Sequence, residues 1–337
     1  MKPLVPLGTL GLSCLPILFS GCSEADDHFV PWRFAHVADI QVGSPRSFRF
    51  APAWNENWRT ARGQIIALEP EFLLVGGDLS RDGSIHGFEL EAIKADLDSL
   101  PFPCHVIPGN MDTGNKHADR QGARGDRDDL LLNVTSEQLE QFSSVFGPLW
   151  WSFVQKNLRV SAFCDMIVGS GLPEEAQLWE WLGAQKKAVP AAHHIWMMHY
   201  PLFVDRPDEG NWDIADSNHY LDWYFTIDEP GRSRLLQLFI DTRTDRVITG
   251  HVHCRKDHHA HGIAFDLAPA TCFAQWQDRW PDGDPTLGFY LYTVYSDYIE
   301  KTFVPLEKVS SRPGYGPGGH PKPAERDYSR AWEKEGD

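Results

Sequence analysis

Short apolar runs alternate with segments of helical spacing along the first third of the chain. The runs at 33–39, 72–75 and 104–107 have the length of buried strands, and each is followed by a turn or a polar residue. Between the first two runs, apolar side chains recur every three or four residues until Pro70, which ends the predicted helix. A second helical segment separates the last two runs. This order of strands and helices predicts an α/β fold of stacked layers.

The same alternation continues to about residue 308, with one polar interruption. Residues 113–133 are polar and crowded with charges, and are expected to form an inserted loop. Thr135 to Gln138 has the form of a capping box that opens a helix, and Pro173 begins another. A further helix is expected around 235–240. Strands are predicted at 150–153, 158–163, 166–169, 195–198, 246–249, 263–267, 289–294 and 299–304.

The amino terminus has the composition of an export signal. Lys2 precedes an apolar stretch that is short and contains proline, and small residues then lead to Cys22 as in a bacterial lipobox. Residues 1–22 are therefore expected to be a signal peptide with a lipobox, and residues 23–32 a polar tether. A globular domain would follow at 33–308 and a disordered tail at 309–337. The prediction is an extracytoplasmic lipoprotein held at the membrane by its lipid, and the alternative is a disordered leader or a misplaced start.

Composition and charge narrow the classes of partner. The chain has 337 residues, of which 42% are hydrophobic and 23% charged, as in ordinary globular proteins. Its net charge of −16 opposes general binding to nucleic acid, which requires clustered basic residues. The sequence contains no CxxC pair, so it gives no support for a zinc site made of cysteines. Cys254 and Cys272 would be either a disulfide of an exported protein or buried free thiols.

Potential metal ligands follow successive predicted strands. Such a residue alone is more commonly a turn residue, but six of them at five strand ends indicate a shared site, because the carboxyl ends of strands in α/β sheets border one crevice. Their mixture of oxygen and nitrogen donors suits manganese, iron or zinc. The residues are Asp39, Asp78, Asn110, His199, His251 and His253.

These residues also resemble, in their order, the signature of the calcineurin-like metallophosphoesterases, which reads D-x-H, G-D, G-N-H-D/E, H and G-H-x-H. The resemblance implies a four-layer α-β-β-α sandwich of mixed sheets with two metal ions. It further implies that Asp39, residue 41 and His253 hold one ion, that Asn110, His199 and His251 hold the other, and that Asp78 bridges them. The matching segments are Asp39-Ile40-Gln41, Gly77-Asp78, Gly109-Asn110-Met111-Asp112, His199-Tyr200-Pro201 and Gly250-His251-Val252-His253.

Two positions depart from that signature. Gln41 replaces a histidine, and would either coordinate metal through its amide oxygen or hydrogen-bond a bound water. Met111 replaces the histidine that the resemblance assigns to the leaving group or the phosphoryl oxygen, and it has no proton to give. His117 and His219 are candidates for that acid role, and Arg81 is a candidate phosphate contact.

The function expected from these residues is metal-dependent hydrolysis of a phosphoester outside the cytoplasm. A phosphodiester or pyrophosphate is favoured, within a small or lipid-linked substrate. One alternative is a catalytically impaired protein of the same fold that binds metal or phosphate. Another is a nuclease, which the acidic charge and the leader oppose.

Overall fold

The strands belong to two mixed sheets in a computed structural model of the chain. The structure describes residues 29–47, 50–117, 133–209, 223–274 and 280–311. The strands within these ranges are β1 (Trp32–Val37), β2 (Leu73–Gly76), β3 (Cys104–Ile107), β4 (Trp150–Gln155), β5 (Leu158–Phe163), β6 (His193–Met197), β7 (Arg246–Thr249), β8 (Lys256–Ala260), β9 (Ile263–Leu267), β10 (Gly288–Val294) and β11 (Ile299–Pro305).

Both sheets combine neighbouring parallel strands with antiparallel ones, which lie at one edge of the first sheet and at both edges of the second. The first sheet has the order β11-β10-β1-β2-β3, with β1, β2 and β3 parallel. The second has the order β4-β5-β6-β7-β9-β8, with β5, β6, β7 and β9 parallel. The carboxyl ends of parallel strands in each sheet therefore lie along one edge of that sheet.

Helices connect the parallel strands, as the apolar spacing predicted. The first helix begins with a proline and buries Trp54, Trp58, Ala61 and Ile65 on one face. The predicted capping box is confirmed, since the Thr135 hydroxyl accepts from the Gln138 backbone and the Gln138 side chain accepts in return. Within the described residues the α-helices are α1 (Pro52–Leu68), α2 (Gly87–Asp98), α3 (Asn110–Thr113), α4 (Ser136–Phe146), α5 (Pro173–Gln185) and α6 (Gly231–Asp241).

The alternation of side chains along β1 shows how the layers are arranged. Phe34 and Ala38 pack with Val160, Ile195 and other residues of the second sheet, so this apolar cluster lies between the sheets. Residues 35 and 37 point the opposite way and pack with the helices. The predicted α-β-β-α sandwich of mixed sheets is therefore confirmed.

The structure differs from the sequence-based strands in two places. A strand at 166–169 was wrong: Asp165–Ile167 is a 3₁₀ turn, and the Asp165 carboxylate accepts backbone N–H groups of His199 and Tyr200 at 2.7 and 2.8 Å. Those bonds hold this segment across the end of β6, where a strand cannot continue. Conversely, β8 has no apolar run, because it is an edge strand composed mainly of polar residues.

Two further observations concern the cysteines and the helices. Cys254 and Cys272 are both buried free thiols in the structure. Among the described residues, no helix is both long enough and apolar enough to cross a membrane.

Candidate metal centre

The predicted metal ligands all follow a strand at the carboxyl edge of one of the sheets. In the first sheet, Asp39 follows β1, Asp78 follows β2, and Asn110 lies three residues beyond β3. In the second sheet, His199 follows β6, and the His251/His253 pair follows β7. The structure brings these six residues together, and all of them are buried. Their convergence follows from the parallel strand order, because each strand delivers its loop to the same crevice.

Four of these six residues, together with Gln41, have a left-handed backbone conformation, which L-amino acids seldom adopt. Their φ angles lie between 41° and 68°. The chain therefore turns sharply after the strands, which directs consecutive polar side chains into the crevice instead of continuing the sheet. The residues concerned are Asp39, Gln41, Asp78, His251 and His253.

Two glycines allow the loops to approach each other closely. A Cβ atom on Gly77 would lie 2.5 Å from His199 Nδ1, and the φ of Gly77 is +92°. A Cβ atom on Gly109 would lie 2.1 Å from Asp78 Oδ1. Any larger residue at either position would displace a candidate ligand, which explains the glycine before Asp78 and the glycine before Asn110.

The buried side chains form two ligand groups that share one carboxylate. The first group is Asp39, Asp78 and His253, and the second is Asp78, His199 and His251. Within each group the potential ligand atoms lie within 4.8 Å of one another. His253 Nε2 is 3.1 Å from Asp39 Oδ1, and His199 Nε2 is 3.3 Å from Asp78 Oδ1. Asp78 thus lies where a carboxylate that bridges two cations is required.

Each histidine has one ring nitrogen fixed by a backbone carbonyl. A carbonyl can only accept, so that nitrogen carries the hydrogen and the opposite nitrogen presents its lone pair to the ligand group when the ring is neutral. This is the usual arrangement of metal-binding histidines, and the site therefore fits a pair of metal ions. The pairs are His199 Nδ1 with Gly76 at 2.8 Å, His251 Nε2 with Tyr224 at 3.0 Å, and His253 Nδ1 with Phe273 at 2.8 Å.

The two buried carboxylates of the site also shift the pKa values of the histidines beside them. Burial alone would lower the pKa of His199, but the adjacent Asp78 carboxylate raises it to about 10. Burial likewise opposes protonation of His253, but Asp39 holds its pKa well above the ordinary value. Burial and the charge of His199 keep the pKa of His251 well below its usual value. The two buried carboxylates therefore retain protons on two imidazoles, and metal binding would release them.

Asn110 is oriented by residues that the sequence did not point to. Its amide nitrogen donates to Asn115 Oδ1 at 3.0 Å and to the Tyr224 hydroxyl at 2.9 Å. Its amide oxygen therefore faces the second ligand group, 3.1 Å from His199 Nε2. Nothing in the local pattern around Asn115 signals this role. Tyr224 lies between Trp223 and Phe225, an aromatic run that the sequence alone did not connect with the site.

Gln41 lies in the first group but presents its amide nitrogen. Its Nε2 donates to Asp78 Oδ2 at 3.0 Å and lies 3.3 Å from His253 Nε2. Its oxygen accepts from Arg81 Nη1 at 2.9 Å, and a guanidinium can only donate, which fixes the orientation of the amide. In this orientation the amide N–H groups, and not the oxygen, face the ligand group. Coordination through oxygen would require the amide to turn over and the bond to Arg81 to break.

Arg81, a candidate phosphate contact from its position in the sequence, lies beside the first ligand group, where it bonds to Gln41. The guanidinium is buried and stacks over the Trp54 ring at 4.8 Å. This stacking and the bond to Gln41 hold Arg81 at the wall of the first group.

Asp112 joins two loops of the site, a role that could not be read from the sequence motif. Its carboxylate is fully buried and accepts four hydrogen bonds that join the loop after β2 to the loop after β3. The donors are the backbone N–H groups of Leu79, Ser80 and Gly109 and the Ser80 hydroxyl, at 2.6 to 3.0 Å.

The residues proposed for proton donation have different positions. Met111 is half-buried, its sulfur lies 3.6 Å from Asn110 Nδ2, and a thioether has no proton to donate. His117 is half-buried, belongs to neither ligand group, and has a ring nitrogen 2.8 Å from the Val134 carbonyl oxygen. His219 lies outside the described residues.

Comparisons with known proteins find related phosphatases. Two curated relatives are named serine/threonine-protein phosphatase CPPED1. The relative from Danio rerio is 24% identical over 307 residues, covering 84% of this chain and 87% of the relative. The relative from Homo sapiens is 22% identical over 255 residues, covering 66% and 69%.

Solved structures share the fold at low identity. Purple acid phosphatase PPD1 from yellow lupin matches with a TM-score of 0.55 and 12% identity, over 84% of this chain and 52% of that one. GAP50, described as the anchor in the inner membrane complex of Plasmodium, matches with a TM-score of 0.50 and 16% identity, over 83% and 86%. The family model described as calcineurin-like phosphoesterase matches residues 33–255, which include both ligand groups. The chain therefore belongs to the calcineurin-like phosphoesterase family and is a metallophosphoesterase.

Proposed function

We propose that this protein hydrolyses a phosphodiester or pyrophosphate bond at a centre of two metal ions. The observation that carries the proposal is Asp78, a buried carboxylate shared by two ligand groups. Bound there, a pair of manganese, iron or zinc ions would supply a water of lowered pKa and neutralise phosphate charge. Asp39 and His253 would hold one ion, while Asn110 and the remaining histidines would hold the other.

The protein's own groups would contribute position and charge. The carbonyl bonds to the three histidines fix the ring orientations before any ligand arrives, so little rearrangement is needed on binding. Gln41 would present an N–H donor beside the shared carboxylate. That donor can hydrogen-bond a metal-bound water or a phosphoryl oxygen.

Met111 supports the choice of substrate class. A thioether cannot protonate a departing oxygen, so the leaving group must depart as an anion or take its proton from solvent. Pyrophosphates and aryl diesters have acidic leaving groups and suit such a site. Alkyl esters, whose leaving groups are strongly basic, do not.

The curated relatives make phosphorylated serine and threonine a necessary comparison. Their name, serine/threonine-protein phosphatase, implies alkyl phosphomonoester substrates for those proteins. A purified sample should therefore be stripped of metal, reloaded with manganese, iron or zinc, and assayed with a pyrophosphate, an aryl diester and a phosphoserine peptide. Preference for the peptide would refute the proposed substrate class and leave the hydrolytic function intact.

Substitution at position 111 tests the same argument. Met111→His should raise kcat/KM for alkyl esters about 10²-fold, the lower end of general acid catalysis, and change aryl esters little. An equal change for both kinds of ester would show that position 111 does not act on the leaving group.

The altered residues also favour a second candidate, a protein that binds metal and phosphate without turnover. Gln41 and Met111 are the observations that support it. Metal-loaded protein that binds orthophosphate but hydrolyses none of these substrates would decide for this alternative. Turnover that Asp78→Asn abolishes would decide against it.

We further propose that the chain is a membrane lipoprotein of a bacterial envelope, acting on a small or lipid-linked substrate. The support is the lipobox-like sequence ending at Cys22. Cys22→Ala should release the protein from the membrane fraction, because the acyl chains would be its anchor. Recovery of the wild-type protein in the cytoplasm with Met1 retained would refute this.

A further inference from the structure

The Asn57 side chain joins two segments that are distant from it in the sequence. It belongs to α1 and is fully buried. Its Nδ2 donates to the Cys272 carbonyl at 2.9 Å and to the Ser310 carbonyl at 3.0 Å. Its Oδ1 accepts from the Ser310 N–H at 2.6 Å. One amide therefore connects the loop at 271–273 with the segment that follows β11.

The loop at 271–273 contacts two candidate ligands of the first group. The N–H groups of Thr271 and Cys272 donate to the Asp39 carbonyl at 3.3 and 3.2 Å. The Phe273 carbonyl accepts from His253 Nδ1 at 2.8 Å, which leaves Nε2 of a neutral ring to bind metal. A shift of this loop would therefore move the backbone of Asp39 and the acceptor that orients His253.

The Ser310 backbone determines which way the Asn57 amide faces. An N–H group can only donate and a carbonyl can only accept, so together they match one of the two orientations of the amide. In that orientation Nδ2 faces the Cys272 carbonyl. If the amide were turned over, two oxygens would face each other there and the loop would lose its hydrogen bond.

Residues 306–310, called the strap below, are also bonded to the rest of the fold before they reach Asn57. The Leu306 N–H donates to the Leu287 carbonyl at 3.0 Å, and Leu306 is buried. The Glu307 N–H donates to Gln64 Oε1 at 3.1 Å, and Gln64 Nε2 donates to the Pro305 carbonyl at 3.0 Å. The strap therefore presents the Ser310 backbone to α1 as part of the packed structure.

We propose that Asn57 is a positioning residue for the metal ion of the first ligand group, and that the strap keeps it in that role. The proposal rests on the proposed centre of two ions and adds residues that control the affinity for one of them. Asn57 acts through the loop that holds His253, without touching the ion or the substrate. Loss of a residue that orients a metal ligand typically weakens metal binding by about 10–100-fold.

The central measurement is zinc binding by chelator competition, which gives one dissociation constant for each ion. Asn57→Leu removes all three hydrogen bonds and should raise the constant of the first group about 10-fold, the lower end of that range, because its action is indirect. Ser310→Pro removes the N–H donor without altering Asn57, and should raise the same constant by a smaller factor. His251→Ala removes a ligand of the second group and thereby identifies that group's constant.

Two matched variants serve as controls. Ser310→Ala removes only the hydroxyl that contacts Glu56, keeps both backbone groups, and should change neither constant. Asn157 likewise joins separate segments, since it accepts from Trp32 Nε1 at 3.1 Å and donates to the Tyr295 carbonyl at 2.8 Å. It lies beside the start of β5, at the opposite end of the strands from the ligand groups. Asn157→Leu should lower the free energy of unfolding without changing either constant.

The outcomes separate a positioning role from a general effect on stability. Equal rises of both constants in Asn57→Leu would overturn the proposal in favour of a purely structural role. Unchanged constants would refute it outright, and an effect of Asn57→Leu that Ser310→Pro lacks would overturn the part assigned to the strap. A wild type that binds two ions and hydrolyses nothing would refute the proposed hydrolysis and leave the role of Asn57 intact.

Discussion

Replacing Asp112 with asparagine should destabilise the protein although the two side chains have almost the same shape. Oδ2 of the carboxylate accepts from the backbone N–H groups of Leu79 and Gly109, and Oδ1 accepts from the N–H and hydroxyl of Ser80. An asparagine presents one oxygen and one amide nitrogen in their place. Wherever the nitrogen points, it meets at least one buried N–H group that has lost its acceptor.

The magnitude follows from counting these groups. If the new nitrogen faces Ser80, one backbone N–H is left unpaired while the hydroxyl can rotate to accept. If it faces the other pair, two backbone N–H groups are unpaired. Each buried unpaired donor costs about 1–3 kcal/mol, and the remaining bonds lose their charge assistance. We therefore expect the free energy of unfolding to fall by about 2–4 kcal/mol, with weaker metal binding because the loops that carry Asp78 and Asn110 loosen.

Equilibrium unfolding in urea provides the assay, with metal content measured on the same samples. Asp297→Asn, at an exposed position where the carboxylate accepts from the Ser296 hydroxyl, is the matched control and should change stability by less than about 0.5 kcal/mol. An Asp112→Asn protein within about 1 kcal/mol of the wild type, with full metal content, would refute the reasoning. Water would then have to reach these N–H groups.

Three further predictions concern metal binding and pH. Gln41→His should add an imidazole to the first group and tighten its metal at least ~10-fold, measured by chelator competition; unchanged affinity would place residue 41 outside the coordination shell. His251→Ala should halve the metal content measured by mass spectrometry, with the first group still loaded, and two retained ions would contradict the assignment. Burial, aided by Asp82, raises the pKa of Glu89 from 4.5 to about 7. The protonated Glu89 side chain therefore stabilises the fold fully below pH 4.5, and this stabilisation is lost as the pH rises to about 7. Between pH 5 and pH 8 the free energy of unfolding should fall by about 3 kcal/mol more in the wild type than in Glu89→Gln, and an equal fall in both proteins would refute the shift.

The sequence was sufficient for most of the strands and for the candidate ligands that follow them. Buried parallel strands produce continuous apolar runs, and the first polar residue after such a run marks the edge of the sheet, as at Asp39 and Asp78. This local pattern does not depend on what the strand packs against. The edge strand β8 lacks the pattern because half of it faces solvent, and it was therefore missed.

The supporting residues of the site could not be predicted because their roles depend on contacts between distant parts of the chain. Tyr224 meets Asn110 across 114 residues of sequence, and only the packed layers bring them together. The orientation of Gln41 likewise depends on Arg81, a contact that its own neighbours do not reveal. For Asp112 the residue type was noted in the motif, but its four donors belong to two separate loops.

The five left-handed residues at the strand ends lower the stability of the fold but place the candidate metal ligands, so selection for stability and selection for function favour different residues there. Each non-glycine residue in this conformation costs about 1–2 kcal/mol, so five of them cost roughly as much as the lower range of a domain's whole net stability. Laboratory evolution for heat resistance alone would therefore enrich glycine or asparagine at Asp39, Gln41, Asp78, His251 and His253. Substitutions that make the fold more robust would accumulate where they remove the ligands, and the most thermostable descendants of this chain would be the ones that no longer bind metal.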